Sequence, residues 1–331
     1  MDKTNLVKFI DFLKKKQWQV FGTVRRHGVL AVEELDKSEE LVLEPGVPFY
    51  SFKRFFVPEY EKLFEYDGAE LTQRVYPEER RALFGLNLLD LRSILLYDQV
   101  FEKDSYYQAR RKNLLVVGHS AVPDVAQNIF EQTFEEDVLE HLSFDIFIAS
   151  IGLPDAEEGR LYKIFTGSVQ GQRILEDFGF KDFTHIQFSG PVKEGKLDER
   201  MLKIQDKLKN HHEQQIWDEL GKRCIECGKC TIVCPTCFCF RIDDKASLET
   251  DTGGRERCWD SCYYQEFSEV AGGHKFLNST AQRIHFWYYH KFARIPEEFN
   301  FMGCVGCRRC AVVCPVGIDI AEVLKSIEGL Q

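Results

Sequence analysis

Twelve cysteines carry most of the chemical information in this chain, and none of them precedes residue 224. Two runs share one spacing: Cys224-x2-Cys227-x2-Cys230-x3-Cys234-Pro235 and Cys304-x2-Cys307-x2-Cys310-x3-Cys314-Pro315. The x2 spacings curl the backbone so that three thiolates converge on one face of an iron-sulfur cube. The fourth, beyond a short helical turn, points away, and in a two-cluster ferredoxin arrangement it ligates the opposite cube. Proline after it ends the turn. On this rule Cys224, Cys227, Cys230 and Cys314 hold one [4Fe-4S] cluster, and Cys304, Cys307, Cys310 and Cys234 hold the other. Zinc also favours Cys-x2-Cys, but a structural zinc site takes two separated pairs and has no use for three evenly spaced cysteines with a fourth before proline. Four thiolates saturate four irons, so these centres would move electrons and not bind substrate.

Four cysteines are left over: Cys237 and Cys239 in CPTCFCF, and Cys258 and Cys262 in RERCWDSC. Together they have the ligand count of a third [4Fe-4S] cluster, and residues 235–303 give the chain length to wrap one. The alternative, that some are buried free thiols, stands beside it, because cysteine is often simply a small core residue. Around the two motifs, Ile225, Ile232, Val233, Val305, Val312 and Val313 are expected to form an apolar shell. Gly228 and Gly306 would let backbone amides approach sulfur, a lever on reduction potential. Lys229, Arg308 and Arg309 are either nearby tuning cations or ordinary surface charges. The run AQRIHFWYYHKFARI reads as core or partner interface, with His274, His285 and His290 in packing or hydrogen-bonding roles. Asp319 and Glu322 read as a capping box that starts the last helix.

The elements that must position these groups fall into three parts. Residues 1–190 alternate helical and strand patterns, with an opening helix, a hairpin turning at Arg25-Arg26-His27-Gly28, a strand at Ala82–Leu86 followed by a helix over Leu88–Phe101, and further strands at Leu114–Val117, Asp145–Ile151, Leu161–Phe165 and Phe183–Phe188. Helices are expected near Val125–Leu142 and Val169–Phe178. Residues 191–223 are heavily charged with sparse apolar positions, which suits an exposed helical linker; His211 and His212 read there as solvated residues. Residues 224–331 form the ferredoxin-like part with the insert 235–303. The fold expected is of the α+β or α/β class: an N-terminal mixed α/β docking domain followed by a bacterial-type two-cluster ferredoxin domain with a long insertion.

Composition limits the rest. The chain has 331 residues, with 43 Lys+Arg against 53 Asp+Glu and a formal net charge of −10, which argues against nucleic acid as the main partner. No apolar run has the length of a membrane span. The N-terminus has the spacing of an amphipathic helix and not of a signal peptide, so a cytoplasmic protein is expected, where disulfides are rare. No Gly-x-Gly-x-x-Gly follows a strand, so the chain is not expected to bind a dinucleotide itself.

The stretch from Cys224 to Pro315, with CPTCFCF, WDSC, VAGGH and CVGCRRCAVVCP in that order, is similar to the iron-sulfur β subunit of cytoplasmic sulfhydrogenases and to the related A subunit of anaerobic sulfite reductase. The resemblance continues more weakly in FGLNLLDLRSILLYDQVF, YYQARRKN and VAQNIF. It implies an electron relay in a hetero-oligomer, between a flavin-containing NAD(P)H or ferredoxin-linked subunit and a catalytic subunit bearing a nickel-iron or sirohaem centre. Two departures from the family pattern stand out. Leu89, Ala121, Gln127 and Ile129 occupy places where many members carry cysteines, so an N-terminal cluster cannot form here; Cys258 is not required by the pattern. Two other functions fit the cysteines: a reductase subunit that uses an extra Cys-ligated cluster directly on a sulfur substrate, and a zinc-stabilised interaction protein without redox activity.

Overall fold

The computed structural model describes residues 1–73, 79–121, 138–151, 161–190, 199–210 and 215–329. The strands run β1 Gln19–Arg26, β2 Val29–Glu34, β3 Tyr60–Asp67, β4 Glu70–Gln73, β5 Arg81–Leu86, β6 Leu114–His119, β7 Ile146–Ile151, β8 Leu161–Thr166, β9 Phe183–His185, β10 Phe240–Ala246 and β11 Thr252–Trp259. The helices are α1 Lys3–Lys15, α2 Lys53–Phe56, α3 Leu88–Val100, α4 Ser105–Lys112, α5 Val169–Phe178, α6 Glu199–Asn210, α7 Gln215–Arg223, α8 Lys229–Ile232, α9 Thr280–Tyr289, α10 Ile295–Phe299, α11 Arg309–Val313 and α12 Ile320–Glu328. Among the described residues, no helix is long and apolar enough to cross a membrane.

Two compact units result. The first comprises Met1–Phe52, Pro77–Val192 and Val305–Cys307. Its sheet has the order β2-β1-β5-β6-β7-β8-β9. The pairings are parallel from β1 through β5 and β6 to β7, and antiparallel at β1-β2 and β7-β8. The hairpin turns where expected: His27 and Gly28 both have positive φ, 49° and 81°, the twist that a tight two-residue turn needs. Helix α1 is capped by Asp2, which accepts from the Asn5 amide, and it lays Leu6, Phe9, Ile10 and Leu13 onto the sheet residues Val20, Phe84, Leu115, Val117 and Ile148. Stacking apolar residues at i, i+3, i+4 and i+7 on a strand-alternating face is what closes this layer.

Several buried polar groups in this unit satisfy one another. Asp145 accepts from the Val116 amide at 2.7 Å and from the Ser168 hydroxyl, while Ser168 in turn caps α5 by accepting from Gly171 N. A side chain at Gly171 would run into the Asp145 carbonyl, 2.1 Å from the position of an added Cβ. Tyr107 donates to Asp98 at 2.6 Å, and Arg111 bonds Ser143 and pairs with Asp98. Leu89 is fully buried and packs with Val305 and Cys307. Ala121, another of the four positions where many members carry cysteines, donates its amide to His119; Gln127, Ile129 and most of the helix expected near Val125–Leu142 lie outside the described residues.

The second unit comprises Lys53–Tyr76, Lys193–Cys304 and Arg308–Gln331. It differs from the sequence reading twice. Residues 53–76 were expected in the N-terminal domain, but β3 pairs antiparallel with β11, giving a four-stranded sheet β10-β11-β3-β4; the buried pair Arg257–Glu61, 2.8 Å from Nε to Oε2, ties the two strands. The charged stretch is not an exposed linker either. Helices α6 and α7 bury Met201, Ile204, Leu208, Trp217 and Leu220, because those few apolar residues fall on one stripe each. His211 and His212 lie outside the described residues. Helix α9 supplies the opposing face, with Trp217 against Tyr288 at 5.8 Å and Tyr263 against Trp287 at 6.1 Å.

Candidate metal centre

The duplicated spacing is also a duplicated backbone path. In the first motif Glu226 and Gly228 are left-handed, with φ of 57° and 68°; in the second, Gly306 and Arg308 have φ of 75° and 55° at the same two places. Each motif then enters one short helix, α8 or α11. Past each helix the turn closes alike, Cys237 N on Cys234 O at 3.4 Å and Gly317 N on Cys314 O at 3.2 Å. Left-handed residues on either side of the middle cysteine reverse the chain twice, and this brings x2-spaced sulfurs to one side.

Side chains hold these costly conformations in place. The Glu226 carboxylate accepts from Gln265 at 2.9 Å and from Thr280 and Arg283. Burial alone would raise its pKa, but these hydrogen bonds and the Arg283 charge hold it below the usual carboxylate range. Gly228 is needed for a second reason: a Cβ there would stand 2.7 Å from the Tyr264 ring. Arg308, read from sequence as tuning or surface charge, pairs with Asp319. Asp319 also caps α12 by accepting from Ala321 N at 2.8 Å. Lys229 is exposed and Arg309 is buried.

Cys224, Cys227, Cys230, Cys310 and Cys314 line one cavity, together with Tyr263, Trp287, Tyr288 and Ile320. The wall differs from the expected shell. Val233 and Val305 are buried and Val312 is exposed; Ile225 lies on the cavity wall though largely exposed, and the aromatics of α9, assigned from sequence to core or interface, supply further apolar surface. Two backbone amides point at sulfur: Glu226 N to Cys224 Sγ at 3.4 Å and Ile318 N to Cys314 Sγ at 3.2 Å. Burial, and then the neighbouring sulfurs, push the Cys230 thiol well above its usual range, so several thiolates could share this pocket only around a cation that neutralises them. Among the described residues no three Cys, His, Asp or Glu side chains converge as they would on a single metal ion. A four-iron cube takes its sulfurs at separate corners, and cysteines spread around a common wall fit that group.

A second set of cysteines sits deeper. Cys234 is buried beside Thr236, 3.2 Å from Sγ to Oγ1, and receives a hydrogen bond from Lys291 at 3.3 Å. Cys237 hydrogen-bonds to Cys234, and with Lys291 this holds the Cys234 thiol well below its usual range. Cys239 and Cys262, both free thiols, are hydrogen-bonded to each other. Lys53, also buried, points at the α8 carbonyls of Thr231 and Ile232 and covers the Trp259 ring at 3.8 Å. Of the four leftover cysteines, Cys237 and Cys239 therefore lie near Cys234 and a buried lysine, Cys262 lies beside Cys239 and Cys237, and Cys258 stands on β11 opposite Arg241 and Tyr60, with burial and Asp243 raising its thiol pKa. Cys307 packs with Leu89, Val305 and Val47. The histidines do pack and bond: His285 reaches Leu208 O at 2.9 Å, His274 meets Phe276, and His290 lies against Phe238.

Comparison with known proteins agrees with this geometry. Residues 223–318 match a family described as a 4Fe-4S dicluster domain. Sulfhydrogenase 2 subunit beta of Pyrococcus furiosus is 32% identical, the match covering 96% of this chain and 94% of that protein. No solved structure matches the chain.

Proposed function

This chain belongs to the family of sulfhydrogenase beta subunits and is an iron-sulfur electron-transfer subunit; from that premise we propose that it relays electrons through two [4Fe-4S] clusters with exchanged ligands. One cluster is held by Cys224, Cys227, Cys230 and Cys314, the other by Cys304, Cys307, Cys310 and Cys234. The observation that carries this reading is the cavity in which Cys314, from the second motif, lines the same wall as the first three cysteines of the first motif. Cys310 lies in that wall too, so the two ligand sets share a boundary, as a relay requires.

Each cluster, when bound, accepts and releases one electron at a time. The chain's own residues do the rest. Trp287, Tyr288 and Tyr263 keep water from the first centre, the Glu226 and Arg308 anchors hold the motif loops against rearrangement, and amides of Glu226 and Ile318 stabilise sulfur charge. Reduction then requires little movement of the surroundings. The partners in this reading are a flavin-containing NAD(P)H or ferredoxin-linked subunit on one side and a catalytic nickel-iron or sirohaem subunit on the other, in a hetero-oligomer whose docking scaffold includes the first unit.

The test is direct. Protein purified without oxygen should carry about eight iron atoms and as much acid-labile sulfide per chain, for two four-iron cubes, and should give two interacting EPR signals on dithionite reduction. It should not reduce sulfite or polysulfide alone with an artificial donor. Colourless protein containing zinc would refute the relay.

A further inference from the structure

Lys291 has a buried side chain whose place is set by an irregular element. Residues His290–Arg294 form one π-turn at the end of α9, a feature that inserts a residue into a helix and often marks a functional position. From there the Lys291 Nζ reaches three acceptors: Gly303 O at 2.8 Å, Thr236 Oγ1 at 2.9 Å and Cys234 Sγ at 3.3 Å. The Thr236 hydroxyl spends its own proton on Gly303 O, so it is free to accept from the lysine. Three acceptors match the three N–H groups of an ammonium, one more than a neutral amine offers.

The backbone of the same residue is engaged as well. Gly303 N donates to Lys291 O at 3.0 Å, and a Cβ at Gly303 would stand 2.7 Å from that oxygen. The lysine thus grips the residue before Cys304 from both ends while touching Cys234 from the other motif. A buried cation needs a counter-charge. Its hydrogen-bond partners include no carboxylate, only a hydroxyl, a carbonyl and a cysteine sulfur. The sulfur is the one that can carry negative charge, as a metal-bound thiolate does.

We propose that Lys291 is a positioning residue that raises the reduction potential of the cluster ligated by Cys234, making it the more easily reduced of the two; this rests on the two-cluster reading above. One-electron reduction adds one negative charge to the cluster with no bond broken and no proton moved. A cation hydrogen-bonded to a ligand sulfur stabilises the reduced form more than the oxidised one, and burial leaves that interaction poorly screened. The cavity at the first motif has Lys229 on its wall, but that side chain is exposed, where water weakens its field. Electrons would therefore settle on the second cluster.

Full-length wild type, Lys291→Met, Lys291→Gln, Lys291→Arg and Cys234→Ser, all prepared without oxygen, are titrated with dithionite and followed by EPR. In Lys291→Met and Lys291→Gln, the cluster that Cys234→Ser disturbs should reduce at more negative potential. Its one-electron equilibrium should fall at least tenfold, about 59 mV, with the other cluster unmoved and Lys291→Arg close to wild type. Loss of that one cluster from Lys291→Met, with Lys291→Arg retaining it, also supports the assignment. Unchanged potentials in Lys291→Met, or an equal shift of both clusters, overturns it. If Cys234→Ser disturbs the cluster of its own motif, the exchange of ligands is wrong, yet the effect of Lys291 is still judged on that cluster; wild-type protein without iron overturns both proposals.

Discussion

The first unit pairs several of its buried polar groups with one another, whereas the second sets buried lysines beside cysteine sulfurs. In the first, Asp145 is met by Val116 N and Ser168, Asp98 by Tyr107 and Arg111, and the sheet is covered by an ordinary apolar layer. In the second, cysteines line an aromatic-walled cavity, and two buried lysines lie beside Cys234, Cys237 and Cys239. The difference teaches that the first unit, Cys307 apart, is held by its own apolar and polar contacts, while the second gathers most of the cysteines around a place for an inorganic group, whose binding energy adds to folding energy.

The largest effect should come from removing that group. Stripping iron by oxidation and chelation should abolish hydrogen-exchange protection in α8, α11 and the loops between the cysteines, while β5, β6 and β7 keep theirs; loss of protection in those strands as well would show that the units are not separately stabilised. Next is pH. Burial holds the His119 ring neutral, its pKa lowered to about 4 from 6.5. The unfolded chain then binds a proton that the folded chain refuses, so stability rises with pH between about 4 and 6.5 and is level above. Denaturant unfolding of the first unit should be weaker by about 2 kcal/mol at about pH 5 than at about pH 7.5, and His119→Gln should flatten that slope without altering cluster EPR.

Smaller changes should keep to their own side. Asp145→Ala leaves the Val116 amide and Ser168 hydroxyl without their acceptor and should cost about 2 kcal/mol with iron content unchanged. Ser168→Ala removes the cap of α5 as well as the bond to Asp145, and about 1 kcal/mol is expected. Thermal unfolding read by far-UV circular dichroism, beside iron analysis, checks both; a variant in this network that lost iron would erase the contrast between the units.

What was legible from sequence was local. The hairpin at His27-Gly28, the strand-to-helix passage at Leu86–Leu88 and the paired cysteine spacings are all carried by neighbouring residues, and each is present in the fold. Long-range pairings were not legible. Strand β3 has its partner at Thr252–Trp259, and nothing in the composition of Tyr60–Asp67 points so far along the chain. Helices α6 and α7 look exposed in sequence because charge dominates them, although Met201, Ile204 and Leu208 sit at i, i+3 and i+7. In sequence, Trp287 and Tyr288 read as core or partner interface and carry no sign that they line a cavity. Lys291 gave no signal at all, since a lysine in a mixed run looks solvated until a π-turn aims it inward.

Exchange of the fourth ligands is tested most directly by EPR of three dithionite-reduced variants, Cys314→Ser, Cys227→Ser and Cys307→Ser, each prepared without oxygen. The Cys314→Ser spectrum should be altered in the same signal as Cys227→Ser and should leave the signal sensitive to Cys307→Ser intact. Alteration of the Cys307-sensitive signal alone would contradict the account.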